Sequence, residues 1–545
     1  MPRFSPLLAA LLAGAISVSA LAADDDVPKA KTNPTPTPTP AVAPDSTTEG
    51  SVVVGGATIA YRAVAGTITV GATEEQDAQL GPDGKPLPDT EAALAAAASK
   101  DPKDAPPVAR MFYVAYFKKD TKAEGRPITF LYNGGPGSST IWLHMGSFGP
   151  KHVVTSDAQH LGGAPYNLVN NDYSLLDVSD LVFIDMPGTG FGRLVGKDKE
   201  KAFWGVDQDA HAFARFIARF ISKYDRWNSP KYLFGESYGT TRSSVVSNIL
   251  ENEKSIDVNG VILLSQIFNF ASDIDLARNN PGIDLPFQLA LPTYAATAFY
   301  HHKLPTQPAA MEPFLKEVED FAMGEYAHAL AQGTDLSASE KQTVAEKLHN
   351  YTGLPVAYLL KANLRVSGGG FEKNLQGDED LTTGRLDTRF SGPTINPLSE
   401  EAEYDPQSSA ISSAYVSLFN NYVRRDLKYG EGQTYLPMAD FGSAQWDFKH
   451  AGDPINLNVS ADIATAMKTN PRLKVMVNGG YYDLATPFYG AYYEDKHLPI
   501  PESLTKNIEY DWYESGHMVY VRDESLQKLH DRVAAFIRST EAGNM

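Results

Sequence analysis

Tyr232-Leu233-Phe234-Gly235-Glu236-Ser237-Tyr238-Gly239 sets three residues of strand character against a serine with glycine two places before and two after it, and a helical pattern follows toward Leu250. Small residues at those two places let a sharp strand-to-helix turn pack tightly, which lifts the serine hydroxyl above the end of a sheet. The plain alternative is a glycine-containing turn with an ordinary serine, and the bare pattern is common. The strand before it and the helix after it favour a nucleophile elbow, with Ser237 as candidate nucleophile.

On either side of this turn, short apolar strands alternate with helical patterns, the signature of parallel β-α-β units. Leu181 to Ile184 is one such strand, Val206, Ala210, Phe213, Ile217, Phe220 and Ile221 fall at helical spacing, and Val261 to Leu264 is the next strand. Upstream, Val52-Val53-Val54, Thr58-Ile59-Ala60-Tyr61 and Thr67-Ile68-Thr69-Val70, separated by glycines, predict an antiparallel meander, and strands resume at 111–117 and 128–132. Residues 73–107, polar and rich in alanine and proline, read as a surface excursion. From about Asn269 to Gly442 the β-α rhythm is lost, which predicts an inserted, mainly helical cap. The rhythm returns at Lys474 to Asn478 and at Ile508 to Tyr513, and an amphipathic helix from about Glu524 to Ile537 closes the chain. The expected organisation is a core over 51–268 and 443–545, interrupted by a cap over 269–442.

A serine hydroxyl is a weak nucleophile at neutral pH and needs a base within hydrogen-bond reach, oriented in turn by a carboxylate. Asp483 in Asn478-Gly479-Gly480-Tyr481-Tyr482-Asp483 and His517 in Glu514-Ser515-Gly516-His517-Met518 each follow a strand, in the chain order Ser, acid, His. Alone, Asp483 could be a turn residue and His517 a surface histidine; after the elbow, at the carboxyl ends of strands, they read together as acid and base. His497 is the rival base, but no strand immediately precedes it. A second glycine run, Asn133-Gly134-Gly135-Pro136-Gly137-Ser138-Ser139, follows the strand ending at Tyr132. Such a loop brings backbone N–H groups close to a ligand and can supply one oxyanion donor while the residue after Ser237 supplies the other. A tight turn is the plain alternative, and a phosphate cradle lacks its Gly-Lys-Ser/Thr ending.

These two motifs, with Ile184-Asp185-Met186-Pro187-Gly188-Thr189-Gly190-Phe191 and Gly516-His517-Met518-Val519, occur in an order that resembles the serine carboxypeptidase family over about Phe112 to Val521. The resemblance implies an α/β-hydrolase fold, a mixed, mostly parallel sheet. It implies Ser237, Asp483 and His517 as triad, the N–H groups of Gly135 and Tyr238 as oxyanion hole, and Asn133, Gly134 and Glu236 as binders of a peptide's terminal carboxylate. Two carboxyl groups in contact must share a proton, so activity is expected to favour acidic pH. The chain departs from the family where cysteines are common, having Ser138 and Ala485 there, and where a glutamate usually follows the first motif, having Ser147. The last departure leaves room for a carboxypeptidase-like esterase or acyltransferase using the same triad. Arg242, also outside the family pattern, reads more simply as a structural or solvated residue than as a cleft-facing partner for an anionic substrate.

Composition narrows the rest. A 545-residue chain with formal charge −19 and no basic patch speaks against nucleic acid or an anionic membrane surface as partner. With no cysteine there is neither disulfide nor thiolate chemistry. No metal or cofactor is expected: His301-His302 lack a third ligand at a recognisable spacing. A non-catalytic binding protein of the same fold finds no support in a chain that keeps all three triad residue types. Residues 1–22, with Arg3, an apolar stretch and Ala20-Leu21-Ala22, read as a cleaved signal peptide, and 23–50, with alternating Thr-Pro, as a linker. The mature protein is then expected to be periplasmic or secreted, with a peptide substrate and no membrane contact; its oligomeric state is not legible.

Overall fold

The computed structural model describes residues 44–81, 84–88, 90, 91, 93, 102–442, 444–452 and 456–542. The signal peptide, most of the linker and parts of the 73–107 excursion lie outside these residues. A ten-stranded sheet organises the chain: β1 (Ser46–Val54), β2 (Ala57–Gly71), β3 (Val108–Lys118), β4 (Ile128–Tyr132), β5 (Asp180–Ile184), β6 (Arg193–Val195), β7 (Lys231–Glu236), β8 (Gly260–Leu264), β9 (Lys474–Gly480) and β10 (Ile508–Tyr513). The spatial order is β1-β2-β3-β5-β4-β7-β8-β9-β10, with β6 beside β3. Pairings from β1 to β5 are antiparallel and those from β5 through β10 parallel, giving a mixed sheet with a parallel half. Strands β4, β5, β7 and β8 are buried along their whole length, which is why their central residues read as apolar runs: helices cover both faces of a parallel sheet.

Two sequence expectations are corrected at the N-terminal edge. The residues expected to be linker up to Gly50 already belong to β1 from Ser46, paired Ser46 to Ala65, because the backbone ladder to β2 does not require large apolar side chains. The two strand pieces at 58–61 and 67–70 are one 15-residue strand rather than neighbours joined by a turn. Gly66 between them is not a turn residue; a Cβ there would lie 2.0 Å from Asp45 Oδ1, so glycine serves close approach within the strand.

Helices α1 (Val206–Lys223) and α2 (Tyr238–Asn252) pack on the sheet around Phe213, Phe216, Ile217, Phe220, Val246 and Leu250. The inserted region builds its own apolar cluster from α3 (Leu285–Tyr300), α4 (Met311–Phe321) and α5 (Ala338–Thr352), with Phe287, Leu291, Phe314, Val318 and Leu348 at its centre. This cluster runs from Ile274 to Leu375 and takes in Tyr482, Leu484 and Phe488 of the core. Helix α6 (Pro406–Arg425) instead lies on the residues after β4, with Trp142 and Tyr415 rings 5.5 Å apart. The chain then runs back along the core, bridging Leu436 to Gly190 and Met438 to Ser138. Helix α7 (Asp523–Ala542) closes the chain. Among the described residues, no helix is long and apolar enough to cross a membrane.

Strand β4 has β5 on one side and β7 on the other, so the connections leaving its carboxyl end and that of β7 diverge and open a crevice between them, the place where open α/β sheets bind ligands. Asn133 begins the loop after β4, and Ser237 is the first residue past β7.

Candidate active site

Ser237 sits between β7 and α2 with φ 61° and ψ −132°, a backbone conformation that a residue with a Cβ adopts only under strain. The surroundings enforce it: Glu236 lies opposite Leu264 in the ladder, and the Ser237 N–H donates to Leu264 O at 2.9 Å. Such strain persists where neighbouring structure over-determines it, and it clusters at functional sites.

Asp483 and His517 come together. The His517 Nδ1 and Asp483 Oδ2 atoms are 2.8 Å apart, Asp483 Oδ1 accepts from the Thr486 N–H at 2.9 Å, and the Thr486 hydroxyl donates to Oδ2 at 2.7 Å. Burial works against a charged imidazole, but the hydrogen-bonded Asp483 carboxylate and the nearby Glu236 together outweigh it and the His517 pKa is raised. Ser265, next after the Leu264 that holds the elbow, donates its hydroxyl to His517 O at 2.7 Å. One strand end therefore fixes both the Ser237 turn and the His517 loop.

The first glycine run is pressed onto the elbow. A Cβ on Gly134 would lie 2.4 Å from the Tyr238 nitrogen and 2.7 Å from Glu236 O, so the loop touches the turn backbone to backbone. Asn133 is buried; its Oδ1 accepts from the Leu143 N–H, and its side chain also bonds to Glu236. Glu236 accepts from the Tyr520 hydroxyl at 2.9 Å. Burial pushes its carboxyl up to about 7, against the lowering influence of His517 and of the Tyr520 and Asn133 hydrogen bonds. Gly135 is exposed beside the crevice, while Tyr238 opens α2, where the first N–H groups have no partner within the helix.

Arg242 faces the core. Its Nε donates to Asp209 Oδ2 at 2.6 Å, its Nη1 to Asn133 O at 2.7 Å, and its guanidinium lies 4.3 Å from the centre of the Phe213 ring. It therefore braces the first glycine run from below. Ser147 turns its hydroxyl to Leu143 O of its own helical turn at 2.6 Å and presents no second carboxyl. His497 is exposed, and its Nδ1–H donates to Tyr493 O at 2.7 Å. His301 is half-buried; Nε2 pairs with Thr388 O at 2.7 Å and Nδ1 with Gln376.

Sequence reasoning missed several residues here. Thr486 and Tyr520 carry no motif of their own. Asp185 stands inside a motif without marking itself out; it is buried, takes the Thr140 N–H at 2.7 Å and the Tyr435 hydroxyl at 3.0 Å, and so ties the first glycine run to the strand-turn after β5. The segment Arg385 to Arg389 reaches both the Asp483 and the His517 loops, and only its alternating charges set it apart in the sequence.

The description serine carboxypeptidase belongs to the family model that matches residues 104–519. A serine carboxypeptidase-like protein of Oryza sativa subsp. japonica is 29% identical over 133 residues, 24% of this chain and 28% of the relative. A carboxypeptidase Y homolog of Arthroderma benhamiae is 29% identical over 156 residues, 27% of this chain and 28% of the relative. The matched stretch thus spans little more than a quarter of either curated relative. Among solved structures, a proline iminopeptidase of Mycobacterium smegmatis aligns over 80% of this chain and 97% of its own at 10% identity, with a TM-score of 0.34. A carboxyl esterase of Bacillus coagulans aligns over 81% and 97% at 10% identity, with a TM-score of 0.33.

Proposed function

The chain belongs to the serine carboxypeptidase family, and from that premise we propose that it is a serine hydrolase releasing C-terminal amino acids from peptides through an acyl-serine intermediate. Ser237 attacks the scissile carbonyl, His517 takes its proton and later delivers it to the leaving amine, and Asp483 holds the imidazole in the required tautomer. The N–H groups of Gly135 and Tyr238 receive the developing oxyanion. Asn133, Gly134 and Glu236 hold the substrate's terminal carboxylate, and no metal or cofactor takes part. We also read the protein as exported, on the signal-like text of residues 1–22.

The observation that carries the exopeptidase reading is Glu236, a buried carboxyl next to the nucleophile with a pKa pushed up to about 7. Protonated, it can donate to a substrate carboxylate; ionised, it repels one. The sign follows: binding of a free C-terminus weakens as pH rises through about 7. N-blocked dipeptides and their C-terminal amides, assayed from pH 5 to 9, test this. Wild type should prefer the free acid with KM rising on the alkaline side, and Glu236→Gln, which donates without titrating, should flatten that rise. An amide cleaved as well as the free acid at every pH would remove the carboxylate-recognition role. Because Ser147 offers no second carboxyl, esterase or acyltransferase chemistry on the same triad is the second reading. Hydrolysis of small esters with no turnover of dipeptides would favour it.

Gly134→Ala tests the oxyanion loop. Its Cβ would meet backbone atoms at 2.4 and 2.7 Å, which cannot yield as a side chain does. Displacing the neighbouring donor should lower kcat by about 10²–10³-fold on esters and peptides alike. Unchanged kcat in a folded Gly134→Ala protein would place the oxyanion donors elsewhere.

A further inference from the structure

Gly384-Arg385-Leu386-Asp387-Thr388-Arg389-Phe390 belongs to the inserted region, about a hundred residues from Asp483 and more from His517, yet it is hydrogen-bonded to both of their loops. On the acid side, the Leu484 N–H donates to Arg385 O at 3.1 Å and the Thr388 N–H to Tyr482 O at 2.9 Å. On the base side, the His517 N–H donates to Leu386 O at 2.6 Å and the Gly516 N–H to Asp387 Oδ2 at 3.1 Å. The contact is intimate, since a Cβ on Gly516 would lie 2.4 Å from the Asp387 Cβ.

Asp387 is itself held. Arg389 Nη2 donates to its Oδ2 at 2.6 Å and Nε to its Oδ1 at 3.0 Å, with both side chains almost wholly out of water. The same guanidinium reaches Asp157 at 2.8 Å and lies 5.6 Å from the centre of the Tyr482 ring. The His301 Nε2–H donates to Thr388 O. This fork-to-carboxylate arrangement has little freedom and is shielded from solvent, so its geometry is transmitted to whatever it bonds. What it bonds is the Gly516 N–H, one peptide unit before the His517 N–H that Leu386 O holds, at a glycine that would otherwise leave the loop free to move.

We propose that Asp387 is a positioning residue for His517: its carboxylate, locked by Arg389, fixes the Gly516–His517 backbone so that the imidazole meets Asp483, and the inserted region thereby builds the seat of the base rather than only covering the cleft. This inference rests on the reading of Ser237, Asp483 and His517 as a triad. Losing the clamp leaves all three groups present but lets the imidazole drift, and a misplacement of about 1 Å costs on the order of 10² in rate. Asp483 raises the His517 pKa, so a slackened contact lowers it and moves the acid limb of kcat/KM to lower pH.

The full-length protein carrying Asp387→Ala, Asp387→Asn or Asp387→Glu is assayed on an N-blocked dipeptide and on a small ester across pH. Fluorophosphonate labelling of Ser237 and thermal unfolding are followed in parallel. Asp387→Ala should lower kcat about 10²-fold with KM within about twofold, and shift the acid limb downward. Asp387→Asn retains an acceptor for the Gly516 N–H and should recover most of the loss. If Asp387→Ala does not fold, Asp387→Glu keeps the charge for Arg389 but displaces the carboxylate, and should show the same kcat loss and limb shift. Wild-type kcat and an unmoved limb in folded Asp387→Ala or Asp387→Glu overturn the proposal while leaving the triad standing. A wild-type protein that takes no fluorophosphonate at Ser237 overturns the triad reading and this inference with it.

Discussion

Ser237→Ala will lower kcat on the order of 10⁶-fold, the scale seen when the nucleophile of a serine protease is removed, and will abolish fluorophosphonate labelling. The loss should fall on peptide and ester substrates alike, because in the proposed mechanism both reactions pass through the same acyl-serine. Residual rate above water would come from the oxyanion donors and binding alone. The fold should survive, since alanine occupies the strained φ 61° conformation no worse than serine does. Ser237→Gly makes a sharper companion test. Glycine populates positive φ freely, so this variant should be as inactive as Ser237→Ala yet more stable than wild type by about 1 kcal/mol, the scale of one relieved backbone outlier. Thermal unfolding of the three proteins checks it. A Ser237→Gly protein less stable than wild type would mean that the elbow stores no strain, and activity in Ser237→Ala would send the search for a nucleophile elsewhere.

The parts of the site legible in sequence share one property: each is a short glycine-bounded turn directly after a strand. Gly235-Glu236-Ser237-Tyr238-Gly239, Asn133 to Ser139 and Gly516-His517 announce themselves because the backbone constraints of a tight turn are met by local residues. The parallel half of the sheet was legible for a similar reason, as strands buried on both faces become apolar runs. What escaped was set by partners distant in the chain. β1 begins at Ser46 because its ladder partner is Ala65, and nothing in Ser46-Thr47-Thr48-Glu49-Gly50 marks it as strand. Gly66 looked like a break because a glycine needed for closeness and a glycine needed for turning are the same letter. Asp387 and Arg389 could not be assigned to His517, since a buried pair two residues apart looks in sequence like any charged loop. Tyr520 is likewise silent in sequence, although its hydroxyl donates to Glu236.

Arg242 carries the second large expectation, on stability. Arg242 and Asp209 side chains are both wholly excluded from solvent, and a buried ion pair is weak evidence of net stabilisation, because desolvation offsets most of the attraction. Breaking it is another matter. Arg242→Ala leaves Asp209 buried without the cation that faces it, and its Oδ1 has no hydrogen-bond partner among the described residues. The cost is expected at about 3–5 kcal/mol, read by denaturant unfolding. Its pH dependence has a fixed sign. Burial raises the Asp209 pKa even with Arg242 partly offsetting it, so without Arg242 the folded-state pKa rises further above the unfolded value. Between the two values the folded state holds a proton that the unfolded state releases, and stability falls as pH rises. The deficit of Arg242→Ala should therefore be larger at pH 8 than at pH 5. Arg242→Lys separates the two tasks of this side chain. An ammonium can still face Asp209, which should restore much of the stability, but it lacks the planar fork that reaches Asn133 O at the same time. Its kcat should remain below wild type while its unfolding approaches it. Equal recovery of stability and kcat would mean that the brace on the first glycine run contributes nothing beyond neutralising Asp209.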